Sequence, residues 1–156
     1  MIYKYKDTIA SLKKDGSVKE CPIDIKVINN LIKRSLKDIE TAKRNLEIDN
    51  DCSYTLAYNA LLHAGLAFME SEGLRPNITG KHVTTVKFLN AVLGKNFSDL
   101  INNYDFMRKK RHRFIYEPDI PCSKIEAEEA IETAIKLIEI IKKTIKENDP
   151  QLSFDF

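Results

Sequence analysis

The chain has 156 residues, the size of a single domain, and its 43% hydrophobic and 31% charged residues exclude both a disordered tail and a membrane-embedded protein. Its 25 basic and 23 acidic side chains leave a formal charge of +2, which singles out no class of partner. Five glycines and five prolines are too few to punctuate a many-stranded sandwich or barrel, so an all-β fold is not expected.

A short helix is expected over residues 3–13, broken by Asp15-Gly16. From Pro22 onward Ile25, Ile28, Ile32, Ile39, Ala42 and Leu46 recur at steps of three and four, interrupted only by Ser35, which is one buried stripe on a long helix. The segment 53–72 is apolar nearly all round, with small residues such as Ala57, Ala60, Ala64 and Gly65 between larger ones. It reads as the central helix, stopped by Gly73 and Pro76.

After Gly80 a shorter helix is expected to turn Val83, Val86, Leu89 and Leu93 inward, ending at Gly94. The next, starting near Asn96 or Ser98, carries Phe97, Leu100, Tyr104, Met107 and Phe114 inward until Pro118 ends it. Ser123 and Glu126 form the sequence of a capping box for a last long helix with Ala127, Ala130, Ala134, Leu137, Ile138, Ile141 and Ile145 on its core face. The expected fold is all-α, an up-and-down bundle of four main helices with one or two short accessory helices. One domain should fill residues 1–147, with 148–156 a flexible C-terminal tail.

No stretch approaches the ~20 apolar residues that cross a bilayer, and the chain does not open like a secretory leader. Three widely spaced cysteines, Cys21, Cys52 and Cys122, contain no CxxC pair and suit a reducing cytoplasm. No His, Cys, Asp or Glu set has metal-ligand spacing, and neither a phosphate-cradling glycine loop nor a GxSxG elbow is present, so neither metal nor cofactor is expected.

The candidate chemistry lies in Arg108-Lys109-Lys110-Arg111-His112-Arg113. A run of charge ordinarily means a solvated helix face. Continuing the stripe from Tyr104 and Met107, however, lands on Arg111 and then Phe114, so one arginine occupies a position the helix should bury. A guanidinium there needs an anionic or hydrogen-bonding partner, and one lining a cleft can hold a phosphate. Asn59 and His63, one turn apart, read as a hydrogen-bonded polar pair in the core. His82, near a helix start, can cap, pack or meet a ligand.

The order of Ala57-Tyr58-Asn59-Ala60-Leu61-Leu62-His63-Ala64, then Glu72-Gly73-Leu74-Arg75-Pro76, Gly80-Lys81-His82, and finally Arg108 to His112 leading to Tyr116, resembles the HEPN family (higher eukaryotes and prokaryotes nucleotide-binding domain). The resemblance runs from about Val27 to Ile141. It implies a helical bundle, usually dimeric, and in many members a metal-independent ribonuclease acting as a toxin or defence effector, often beside a nucleotidyltransferase antitoxin. The family signature is an arginine followed by a polar residue and, after three more residues, a histidine. Arg111 matches the arginine and His112 the polar residue, but Tyr116 stands in the histidine position.

The resemblance thus implies Arg111, His112 and Tyr116 as the catalytic positions. It also implies Arg108, Lys109, Arg111, Arg113 and His82 as contacts for RNA or a nucleotide, with Arg108 either a second phosphate contact or solvent-exposed. A phenol, with an ordinary pKa near 10, donates a hydrogen bond at neutral pH but is a poor base, so cleavage should be weakened unless His112 serves instead. The other expectation is a non-catalytic interaction or dimerisation module, in which this helix is a partner surface and Tyr116 packs. The last six residues, Gln151 to Phe156, also look like the short peptides that dock on DNA sliding clamps, although a tail folded back on the bundle is the simpler reading.

Overall fold

The structure, a computed structural model, describes residues 2–154. It is an all-α bundle: α1 (Ile2–Lys14), α2 (Ile25–Asn45), α3 (Asn50–Ser71), α4 (Lys81–Leu93), α5 (Ser98–Tyr116) and α6 (Lys124–Asn148). No helix among the described residues is long and apolar enough to cross a membrane.

The long helices begin where the sequence supplies oxygen acceptors for their first N–H groups. Asp24 caps α2 by accepting from Lys26 and Val27, and Asp49 caps α3 by accepting from Cys52. At α6 both arms of the capping box form, Glu126 N–H to Ser123 Oγ at 3.1 Å and Ser123 N–H to Glu126 Oε1 at 3.4 Å. All seven residues assigned to the inner face of α6 are buried.

Central α3 packs against α2, α4, α5 and α6. Ser35, which interrupts the apolar row of α2, is fully buried and donates its hydroxyl to the Ala60 carbonyl at 2.7 Å. Ser53 Oγ donates likewise to Ala42 O, so the two hydroxyls fix α2 and α3 as antiparallel neighbours at two levels. The core also receives Tyr54, Tyr58, Phe68 and Met69 from α3, Phe88 from α4 and Ile101 and Tyr104 from α5.

The buried face of α4 differs from expectation. Leu89 is buried as expected, but Val83 is exposed and Val86 and Leu93 are only partly buried, while Thr84, Thr85, Phe88 and Val92 turn inward. The cause is the glycine opposite: a Cβ on Gly65 of α3 would come within 2.4 Å of Thr85 Cγ2, so the absent side chain lets Thr85 seat against the α3 backbone. Two three-residue strands, β1 (Val18–Glu20) and β2 (Leu74–Pro76), were also unforeseen. They pair antiparallel, Val18 opposite Pro76 and Glu20 opposite Leu74, and clamp the α1–α2 connection to the α3–α4 connection.

The segment after Asn148 does not lie free as far as Phe154. Leu152, four residues past the end of α6, is buried in the core and Phe154 is partly buried against it. Packed this way, Leu152 is not presented to a sliding clamp, and Asp155 and Phe156 lie outside the described residues.

Candidate functional site

The six-residue basic run is divided by helix geometry among three directions. At about 100° per residue, Arg108 and Arg111 lie about 60° apart, while Tyr116 lies about 140° round the helix from Arg111. Each cation therefore meets a different neighbour.

Lys110 turns toward α6, where it pairs with Glu126 and stands 5.9 Å from the centre of the Tyr54 ring, while Phe114 packs edge-on against that tyrosine. Arg108 Nε donates to Asp105 Oδ1 at 2.9 Å, and Lys109 reaches the other oxygen of the same carboxylate at 3.3 Å. Burial alone would raise the Asp105 carboxyl, but these hydrogen bonds outweigh it and hold it below the ordinary range. Arg113 pairs with Glu117 at 3.2 Å on the exposed side.

Arg111 is the exception. Among the described residues it is the cation of this run without a carboxylate partner. Its guanidinium carbon lies 5.0 Å from the centre of the Tyr58 ring, and its Nε is enclosed without a hydrogen-bond partner. The aromatic face offsets part of the desolvation of the charge, worth on the order of 1–2 kcal/mol, but supplies no negative counter-charge. The sequence correctly placed Arg111 in the inward stripe; the partner it calls for is not provided by the described residues of the bundle.

Tyr58 joins this arginine to His82. Its hydroxyl oxygen is 2.6 Å from His82 Nδ1, and the two rings are nearly parallel, 15° apart with centroids at 5.8 Å. Tyr104 also packs against Tyr58, with ring centroids at 5.5 Å, and its fully buried hydroxyl makes no hydrogen bond among the described residues. Burial pushes the Tyr58 phenol up to about 12 even though Arg111 and Arg108 pull it down, and it pushes Tyr104 well above the ordinary value. Both phenols are neutral at physiological pH. Burial, and then the charges of Arg111, Lys81 and Arg108, lower the pKa of His82, which favours its neutral imidazole.

His112 and Tyr116 are neighbours of each other, with ring centroids 4.5 Å apart, and both are exposed, Tyr116 to 70%. No contact among the described residues joins either to Arg111. The fold thus brings Arg111, Arg108 and His82 together around Tyr58 and sets His112, Tyr116, Lys109 and Arg113 on outward faces. Tyr58 and Tyr104 were not identified from sequence as site residues. Tyrosines at the start of an alanine-rich helix and inside an apolar stripe look like ordinary core.

His63 does form a polar pair, but not with Asn59. Its Nδ1 is 3.0 Å from Asp38 Oδ2, and Arg34 Nε donates to Asp38 Oδ1 at 3.1 Å. A nearly buried carboxylate on α2 thus takes two donors from two helices, an arrangement that the one-turn spacing on α3 could not reveal. Among the described residues no three His, Cys, Asp or Glu side chains converge as a metal-binding group.

A helical bundle centred on an alanine-rich helix agrees with what comparison of the whole chain shows. A family model, the HEPN domain, matches residues 28–144. The chain belongs to the HEPN family. No curated protein and no solved structure gives a significant match.

Proposed function

We propose that the protein binds the phosphates of single-stranded RNA or of a nucleotide through Arg111, assisted by Arg108, and that it is a metal-independent endoribonuclease of weakened activity. The observation carrying this reading is the uncompensated guanidinium: the neighbouring cations of the run have carboxylate partners, while among the described residues Arg111 meets an aromatic face and no carboxylate. The planar guanidinium can donate to two oxygens of one phosphate at once, which gives it the anion it lacks. Lys109 and Arg113, exposed at the periphery, add longer-range attraction for the backbone. The reading extends to a cytoplasmic homodimer in which the α5 segments line a shared cleft, acting as the toxin beside a nucleotidyltransferase antitoxin. Phe106 and Tyr116, exposed aromatics on α5, support an interface there.

Fluorescence anisotropy with a labelled single-stranded RNA in EDTA tests the site. Wild type should bind, and Arg111→Ala should lose at least about tenfold in affinity, the loss of one desolvated charge-assisted contact. Undiminished binding by that variant would leave the non-catalytic interaction module as the better reading.

A further inference from the structure

The family motif histidine is replaced by Tyr116, which points away from Arg111, whereas a different histidine, from another helix, meets the same tyrosine as the arginine. His82 sits in the first turn of α4, hydrogen-bonded through Nδ1 to Tyr58, the same ring on which Arg111 rests. Its Nε2 makes no hydrogen bond to any described residue. We propose that His82 is the general base of the Arg111 site, with Nε2 accepting the proton of a ribose 2′-hydroxyl whose adjacent phosphate Arg111 holds. This rests on the reading of that site as an RNA site.

For Nε2 to accept a proton, Nδ1 must carry the other one and donate it to the Tyr58 hydroxyl oxygen. Tyr58 is thus a positioning residue, fixing tautomer and ring direction much as a carboxylate does in other histidine bases. In the step itself the 2′-oxygen gives its proton to Nε2 and attacks the neighbouring phosphorus. The new P–O2′ bond forms as the P–O5′ bond breaks, and the 5′-oxygen leaves with its electron pair and takes a proton from water. Arg111 and Arg108 hold the charge on the phosphate oxygens, and the products are a 2′,3′-cyclic phosphate and a 5′-hydroxyl. The imidazolium then returns its proton to solvent.

After burial, the groups that set the base's titration are Arg111 and Arg108 from α5 and Lys81 on its own helix, while the neutral Tyr58 of α3 is bonded to its ring. The charged members are all cations, and with burial they hold the imidazole below its ordinary value. Cleavage should therefore rise along an acid limb lying below the usual histidine range of about 6.5 and be level near neutral pH.

The test uses the full chain, a labelled single-stranded RNA and EDTA, measuring cleavage from acid to neutral pH and binding in parallel. His82→Ala should lower cleavage by about 10²- to 10⁴-fold, keep RNA affinity within about threefold, and regain part of its rate with added imidazole, a rescue that a merely structural histidine would not show. Tyr58→Phe, which keeps the ring but removes the acceptor, should slow cleavage and shift the acid limb to lower pH. Cleavage by His82→Ala at the wild-type rate overturns the proposal, as does a wild type that binds RNA but cuts none. If His82→Ala is poorly folded, His82→Gln and Tyr58→Phe give the same two readouts. Loss of the RNA-site reading itself would show differently, as Arg111→Ala binding undiminished.

Discussion

Arg111 of α5 lies over the ring of Tyr58 of α3 at 5.0 Å, and the hydroxyl of that same tyrosine is bonded to His82 of α4. One buried phenol therefore aligns a cation and an imidazole that are 29 residues apart in the chain. The pair explains why a basic run that is mostly exposed contains one arginine turned into the bundle.

The outward residues of α5 should matter less to chemistry than this cluster. His112→Ala and Tyr116→Phe are expected to reduce RNA cleavage by less than about tenfold, well short of the loss typical of a general base. A loss at His112 as large as that at His82 in the same assay would move the base to α5.

The seat of Thr85 against Gly65 gives a stability prediction. Gly65→Ala places a Cβ where Thr85 Cγ2 stands, so overpacking should destabilise the protein by about 1–3 kcal/mol despite the better helix propensity of alanine. That corresponds to a fall in Tm of several degrees for a domain of this size. Thr85→Ser, which removes the methyl but keeps the hydroxyl that donates to Lys81 O, should recover part of the loss when combined with it. Equal melting temperatures for wild type and Gly65→Ala would show that α3 and α4 have room to part.

Glu72, at the end of α3, sets a pH dependence. Burial raises its carboxyl above the ordinary range, partly offset by the hydrogen bond from Asn148 Nδ2 at 3.2 Å. A folded-state pKa above the unfolded one means that its contribution is fully present below the unfolded value and is lost as pH rises through the folded one. Glu72→Gln keeps the acceptor oxygen without the charge. It should melt higher than wild type at pH 7, with the difference shrinking toward pH 4, as thermal denaturation across that range would record. A variant that melts lower at pH 7 would mean the ionised carboxylate is stabilising.

Dimerisation is measured by light scattering at micromolar concentration. A mass of two chains is expected, with Phe106→Asp shifting the protein toward one, since an exposed aromatic on α5 otherwise has no cover. A single-chain mass for wild type would remove the shared cleft from the account.

Most of the fold is legible in the sequence because its signals are local. The apolar row of α2, the capping box of α6 and the stop at Pro118 each act within a turn or two of helix, and the structure contains the last two and the row from Ile28 to Ala42, while Ile25 at its start is exposed and Leu46 at its end only partly buried. What depends on contact between distant segments was not legible. The inward face of α4 is set by Gly65 on another helix, the strands β1 and β2 are each only three residues long, and the partner of His63 is 25 residues away. The site divides in the same way. Arg111 announced itself by breaking a periodic stripe, whereas Tyr58 gave no signal because its role lies in what α4 and α5 place on either edge of it.

Salt titration of RNA binding by wild type, Arg111→Ala and Lys109→Ala tests the central claim most directly. Each phosphate contact with single-stranded RNA contributes about 0.7 to the slope of log affinity against log salt. Among the described residues Arg111 has no counter-charge to release, whereas Lys109 shares Asp105 with Arg108. The account predicts a clear fall in affinity and in slope for Arg111→Ala, with a smaller change for Lys109→Ala. Equal and small changes for both variants, or wild-type binding that ignores salt, would contradict it.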